Sequence, residues 1–222
     1  MVSFIQGTSN TESSKKTVTF TLGSVPLAGD VLVLFCMAGS ASVDVADIDG
    51  WINPLGSGVD IETSAHEAFI MLHLVTPVEA GASKVIWTLT NVYSTAKNYW
   101  CVVGVYRGVS NSSLFDVVGS NLYSSTTNSP EFHTVTPTVT GGLVLGMVAN
   151  DSGHGSNSAP VGWTSNIYSA SGTMVEIFSR DAPSTSGVAT GDIVVSGATD
   201  EKITITLVLP KLSSSKGWGI TK

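Results

Sequence analysis

The stretch GDVLVL at residues 29–34 decides the fold, because it returns as GGLVLG at residues 141–146, at an offset of 112. In each copy a glycine permits a tight turn, and the apolar run that follows is typical of a buried β-strand. Gly29 and Gly141 are therefore predicted to hold equivalent turns. One short match would mean little, so the rest of the chain has to be tested for the same register.

Further matches follow in the same order along the chain. The dipeptide Gly-Trp at residues 50–51 returns at residues 162–163, again at an offset of 112. A Pro-x-x-x-Gly pattern at residues 77–81 returns at residues 183–187, where the offset has fallen to 106. The six-residue difference is expected in a loop, since loops tolerate insertions best. The ordered series indicates a duplicated unit of about five strands.

The candidate strands are short and bounded by Gly, Pro, Asn, Asp or Ser, and no long stretch has helical periodicity. Residues 203–207 alternate Ile or Leu with Thr, as a half-exposed strand does. Residues 31–37 are apolar on both faces, so this strand should be central or covered by another protein. We therefore predict an all-β protein: an antiparallel, jelly-roll-like β-sandwich of about ten strands. One sandwich in which the two units interleave is favoured over two tandem sandwiches, and the choice between them stays open.

These patterns also predict the domain boundaries. Residues 1–17 are expected to form an N-terminal arm, residues 18–211 the sandwich, and residues 212–222 a C-terminal tail. Within the sandwich, repeat one is placed at about 18–118 and repeat two at about 130–211.

Composition restricts the classes of partner. Charged residues make up 12% of the 222 residues, and the net charge is −7. Nucleic-acid binding is not expected, since no basic stripe exists to neutralise phosphates. Residues 1–7 do not resemble a secretory signal, and no apolar run approaches the length of about 18 residues that a membrane span needs. We expect a protein made without an export signal and without a membrane partner.

Two cysteines, Cys36 and Cys101, lie within apolar strand-like runs. Cysteine is among the most frequently buried residue types, so two buried free thiols are the favoured interpretation. A disulfide between them stays open, because two cysteines do not define a framework.

Residues able to perform chemistry form no recognisable constellation. The chain lacks a GxSxG elbow, a phosphate-binding loop and an HExxH motif. His66 and His73 are seven apart, which places them on opposite faces of a strand and gives poor metal geometry. The acidic segment at residues 44–50 has carboxylates that suit Ca²⁺ but lacks EF-hand spacing, so a solvated loop is the preferred interpretation. We expect no enzyme activity, no metal and no cofactor.

The tryptophans of the two Gly-Trp pairs are the main structural candidates. Trp51 and Trp163 follow glycines in loops and are predicted to fold back as lids over the end of the core. Asp151 and His154 lie in the polar loop after the predicted strand at residues 143–149 and are candidates for an interaction surface. Trp218 and Ile220 lie on a Gly/Ser-rich tail and are predicted to anchor in a neighbour's groove.

The order of motifs resembles a known family. PLAGDVLVLF at residues 26–35 precedes GW and then YWCVVGVYRGV at residues 99–109, and a shorter echo carries LVLGMVAND, GWT and RDAPSTSG. Together these resemble phage and prophage virion-associated β-sandwich proteins, which include head-decorating and tail-associated proteins. The resemblance runs from Val18 to Leu209. It implies a non-enzymatic protein that assembles through its surface, and it transfers no catalytic residue.

The expected function is therefore that of a virion structural protein, as a capsid decoration protein or a tail or fibre component. The expected partners are other virion proteins and further copies of the chain, with surface glycans as an additional ligand, and assembly would take place in the host cytoplasm. A carbohydrate-binding module is the alternative, with stacking candidates Trp87, Tyr93, Tyr99 and Trp100. A polysaccharide-degrading enzyme is less favoured, because it needs paired carboxylates on facing strands.

Overall fold

The computed structural model describes residues 1–39, 48–56, 59–61, 66–90, 92, 96–123, 130–150, 158–169, 174–182 and 202–213. It confirms an all-β antiparallel sandwich. One short helix, α1, spans Pro77–Gly81. The strands are β1 Ser3–Lys15, β2 Val18–Thr21, β3 Val31–Gly39, β4 Trp51–Ile52, β5 Val59–Ile61, β6 His66–Leu74, β7 Ile86–Leu89, β8 Lys97–Arg107, β9 Val118–Tyr123, β10 Leu143–Asn150, β11 Thr164–Ser169, β12 Met174–Asp181 and β13 Lys202–Leu209.

Each repeat forms one sheet of the sandwich. The strand order of the first sheet is β1-β8-β3-β6-β4, with β5 also paired to β6, and that of the second is β9-β13-β10-β12-β11. If the five strands on each path are numbered one to five in chain order, with β5 left out, both sheets have the strand order 1-5-2-4-3. The strands of the two repeats therefore neither interleave in one sheet nor form two sandwiches. A single sandwich results, because each sheet buries one face against the other.

The N-terminal residues form an edge strand, which corrects the predicted arm at residues 1–17. β1 pairs with β8 from Ser3 opposite Arg107 to Lys15 opposite Lys97. Its side chains are mostly polar, and backbone hydrogen bonds to β8 hold it in place, so hydrophobic patterning gave little sign of it. β9 occupies the same place beside β13. The structural repeats thus run from Ser3 to Arg107 and from Val118 to Leu209.

The core between the sheets is built on β3 and β10, the strands that follow Gly29 and Gly141. β3 and β10 lie at the centre of their sheets, and alternate side chains of both face the same apolar cluster. Most side chains of this cluster are fully buried. They include Val31, Val33, Phe35, Met37, Leu143, Leu145, Met147, Ile203, Ile205 and Leu207.

A second apolar layer covers the outer face of the first sheet. The two-stranded β2–β7 sheet packs Val18, Phe20, Trp87 and Leu89 onto the side chains of β3, β6 and β8 that point away from the core. This explains why β3 is apolar on both faces: the strand is central, and its own chain covers it.

The outer face of the second sheet has an equivalent cover. Phe132 lies there in a buried cluster, and it is related to Phe20 of β2 by the offset of 112. Asn10 donates its side-chain amide to the Thr19 carbonyl, and Asn121 of the equivalent strand donates to the Glu131 carbonyl at 3.4 Å. The same edge-strand asparagine therefore holds the cover in both repeats. Residues 132–135 run over the sheet without forming a strand.

The cover of the second sheet depends on Gly146. A Cβ added there would lie 2.4 to 2.6 Å from the Phe132 ring, so the aromatic side chain rests directly on the strand backbone. We expect Gly146→Ala to lower the free energy of unfolding by about 1–3 kcal/mol through overpacking. Urea unfolding measures this. Gly146→Ala combined with Phe132→Leu should lose less than the sum of the two single changes, and strict additivity would contradict the contact.

The two cysteines form a disulfide, so the favoured interpretation of free thiols is wrong. Cys36 of β3 and Cys101 of β8 are register partners on adjacent central strands, and their Cα atoms are 4.1 Å apart. Directly opposite residues in a non-hydrogen-bonded pair come close enough for such a bond. Both sulfurs lie on the outer face, beneath the β2–β7 sheet.

Candidate interaction surface

Gly29 and Gly141, which precede β3 and β10, lie at the same end of the sandwich, which we call the turn end. Gly29 and Gly141 have φ values of +86° and +74°, a backbone conformation that favours glycine. The turns before β3 and β10 are tied to the ends of β6 and β12, because Gly29 donates to Val75 (2.9 Å) and Ala182 donates to Gly142 (3.0 Å). The predicted equivalent turns are thus present.

Both Gly-Trp pairs also lie at the turn end, in the same local geometry. The Trp51 N–H donates to the Ile48 carbonyl at 2.9 Å, and the Trp163 N–H donates to the Pro160 carbonyl at 3.0 Å. The preceding Gly50 and Gly162 have φ values of +76° and +83°. The offset therefore marks a duplicated turn.

The two tryptophans pack under the covers of the sheets rather than over the end of the core. Trp51 meets Phe20 edge-on at 6.3 Å, and Trp163 lies 4.6 Å from Phe132. Both belong to the outer-face clusters, whereas the core between the sheets contains neither. The predicted packing role fits, but its predicted location at the core end does not.

A histidine joins the Gly-Trp turn of the first repeat to helix α1. The ring of His73 lies between Trp51 and Trp87, with both ring centroids 5.0 Å away. Its Nδ1 is 2.6 Å from the Gly50 carbonyl, and its Nε2 is 3.0 Å from the Glu79 carboxylate. No local sequence pattern indicates this contact, because His73 lies in β6 and Glu79 in α1.

Glu79 is a strongly perturbed carboxyl. Burial would raise its pKa, but hydrogen bonds from the Thr76 backbone N–H, from His73 and from the Thr76 hydroxyl prevail and lower it to about 2 from 4.5. Lys84 adds an ion pair at 3.2 Å. Glu79 and Thr76 form the capping box of α1, so the carboxylate holds this segment against the sheet.

This depressed pKa predicts a pH-dependent contribution to stability. The folded value lies below the unfolded one, so the stabilisation is complete above about pH 4.5 and is lost as the pH falls toward 2. We expect Glu79→Gln to cost roughly 1–3 kcal/mol at pH 7, allowing for partial screening. Urea titrations of both chains should show the difference shrinking between pH 4.5 and 2.5. A difference that does not change with pH would contradict the account.

A buried carboxylate fixes the turn of the first repeat. Asp30 is 1% exposed and accepts from the Nε and Nη2 of Arg107, both at 2.8 Å, and from the Leu27 N–H at 2.8 Å. This bidentate geometry is the strong form of an arginine–carboxylate pair. The corresponding residue of the second repeat is Gly142, so only the first repeat has this pair.

Two segments of the chain run side by side across the turn end: residues 108–110, which follow the first repeat, and residues 210–212, which follow the second. Val109 and Lys211 form an antiparallel bridge, the Ser110 N–H donates to Pro210 (2.8 Å), and the Leu212 N–H donates to Gly108 (2.8 Å). A cleft opens on each side of this crossing. One, of about 280 Å³, lies beside Leu27 and Arg107. The other, of about 420 Å³, lies beside Phe115 and Val139.

The two clefts are related by the duplication. Leu27 and Val139 differ by the offset of 112, and each is an exposed aliphatic residue two positions before a turn glycine. The sequence contains a signal for this pair, because the offset of 112 that relates the buried strands also relates Leu27 to Val139. Among the described residues, the exposed large apolar side chains near the turn end include Met1, Leu27, Ile52, Val78, Ile86, Val139, Val161 and Leu212.

Several predicted interaction residues lie outside the described residues, namely Asp151, His154, Trp218 and Ile220. Of the acidic segment at 44–50, residues 44–47 lie outside as well. Among the residues that the structure describes, no group of three or more His, Cys, Asp or Glu is placed to hold a metal ion.

The candidates for sugar stacking are mostly buried. Trp87 and Tyr99 are each 1% exposed, and the Tyr99 hydroxyl donates to the Thr17 carbonyl at 2.9 Å. Trp100 is half-buried against the main core, and Tyr93 lies outside the described residues. Neither Trp87 nor Tyr99 can offer a ring face to a sugar in this structure.

Comparison with protein-family models, with curated proteins and with solved structures finds no match for this chain. Within the described part of the chain, no helix is long and apolar enough to cross a membrane.

Proposed function

We propose that this protein is a structural component of a virus particle, as a capsid decoration protein or a tail or fibre component, and that it acts through protein–protein contacts. The observation that carries the proposal is the set of exposed aliphatic side chains at the turn end. Exposed apolar patches on an otherwise well-packed protein are typical of interaction sites. The resemblance of the motif order to phage virion proteins supports the same class.

The turn end is suited to rigid docking. The Asp30–Arg107 pair fixes one turn, and the crossing of residues 108–110 with 210–212 joins the repeats. A surface held in this way loses little conformational entropy on binding, which favours affinity. The twin clefts, beside Leu27 and Val139, would contact one partner at two equivalent points.

The test compares the incorporation of variants into particles. Leu27→Asp/Leu212→Asp introduces charge at the turn end, and Leu122→Asp introduces charge on an exposed residue of β9 at the other end. After density-gradient purification, we expect the wild type and Leu122→Asp to co-purify with particles and the turn-end variant to be reduced at least about tenfold, since charge in an apolar contact costs several kcal/mol. Wild-type chain missing from particles, or equal incorporation of all three, would refute the proposal.

A further inference from the structure

The larger cleft has the properties of a preformed peptide site. Its volume is about 420 Å³, within the range usual for ligand sites. Phe115, Val139 and Pro210 give it an apolar lining, and hydroxyls surround them. One wall is fixed, because the Asp116 carboxylate accepts from the Thr138 N–H (2.6 Å), the Thr138 hydroxyl and the Val139 N–H (3.3 Å).

The C-terminal segment at residues 214–222, SSKGWGITK, has a complementary chemistry. Trp218 and Ile220 are two positions apart, so an extended backbone would present both on one face. The flanking glycines would let that backbone approach a surface closely. The segment has two lysines and no acidic residue, whereas the whole chain has a net charge of −7. The cleft lining itself has one carboxylate, Asp116, and one ammonium, Lys211, so the apolar contacts of Trp218 and Ile220 rather than charge would provide the fit.

The position of Ser213, the last residue described before this segment, favours a second copy as the host. Ser213 already lines the cleft, in the wall formed by the crossing. An extended segment rises about 3.4 Å per residue, which puts Trp218 roughly 17 Å beyond Ser213. A compact cleft of 420 Å³ is only roughly 7–8 Å across. An extended segment would thus leave its own cleft before Trp218 and reach a neighbour, and mutual exchange between two copies closes a two-fold dimer.

We infer that the cleft between Phe115 and Val139 binds residues 214–222 of a second copy of this chain, with Trp218 as the anchor. The inference rests on the proposed function, because it names the chain itself as one partner of the turn end. Assembly through the turn end can nevertheless exist without this exchange, so the two can fail separately.

Two full-length variants test the exchange. Trp218→Ala removes the anchor and keeps the cleft, whereas Val139→Asp keeps the anchor and blocks the cleft. Sedimentation equilibrium should show a dimer for the wild type and for Leu122→Asp, and at least a tenfold higher dissociation constant for each of the two variants alone. Mixing Trp218→Ala with Val139→Asp should restore a heterodimer, because one productive contact remains. Unchanged thermal midpoints would show that both variants fold.

A wild type that stays monomeric, a Val139→Asp chain that dimerises like the wild type, or a mixture without heterodimer would overturn the inference. The first and third results would leave the proposed function standing if the chain still enters particles and the turn-end variant does not. If particle incorporation fails while the mixture forms a heterodimer, the exchange stands and the proposed function falls.

Discussion

Replacing Cys36 and Cys101 together with alanine is expected to lower the free energy of unfolding by about 4 kcal/mol. The two cysteines are 65 residues apart, and cross-linking a loop of that length removes about this much entropy from the unfolded chain. For a chain of this size, the loss corresponds to a fall in the thermal midpoint of roughly 8–16 °C. The bond joins two central strands, so its loss should affect the whole first sheet.

Calorimetry with and without reductant measures this effect. Both sulfurs are buried beneath the β2–β7 sheet, so reductant should act mainly after the chain opens and should destabilise the wild type during heating. The double alanine variant should be insensitive to reductant, which makes it the matched control. A variant midpoint within about 2 °C of the wild type would show that the cross-link adds little.

Replacing Trp163 with alanine is expected to cost about 3–5 kcal/mol, the range for large aromatic side chains in a core. Trp163 is 7% exposed, packs on Phe132 at 4.6 Å and lies under the Arg180 guanidinium at 5.6 Å. Its loss would leave a cavity beneath the cover of the second sheet. The equivalent Trp51 is partly exposed, so Trp51→Ala should cost less.

Urea unfolding of the two variants gives the comparison. The expected order is wild type, then Trp51→Ala, then Trp163→Ala, with the slope against urea concentration unchanged if the folded state is kept. Equal losses at the two positions would argue that burial does not set the cost. A loss below about 1 kcal/mol for Trp163→Ala would contradict its role as a packed element of the cover.

The repeat was the part of the fold that the sequence predicted best. An exact offset and strong hydrophobic runs predict three features of the fold: the turn glycines, the central strands β3 and β10, and the Gly-Trp turns. Edge strand β1 was missed for a physical reason: an edge strand buries little apolar surface, and its partner's backbone holds it in place. The two-residue β4 is too short to show any periodicity.

The candidate surface was harder to predict than the core. The disulfide cannot be predicted from the sequence, because two isolated cysteines do not reveal the strand register that puts Cys36 opposite Cys101. The His73–Glu79 contact joins a strand to a short helix and has no local signal. Leu27 and Val139 had a signal in the offset, but exposed aliphatic residues are common and become informative only when the fold brings them to one end.

Electron cryo-microscopy of the particle that incorporates this chain tests the central claim most directly. We predict that neighbouring subunits contact the turn end, with density packed against Leu27, Val139 and Leu212 and filling the cleft beside Phe115. A reconstruction in which the chain is part of the particle while its turn end faces solvent would contradict the account.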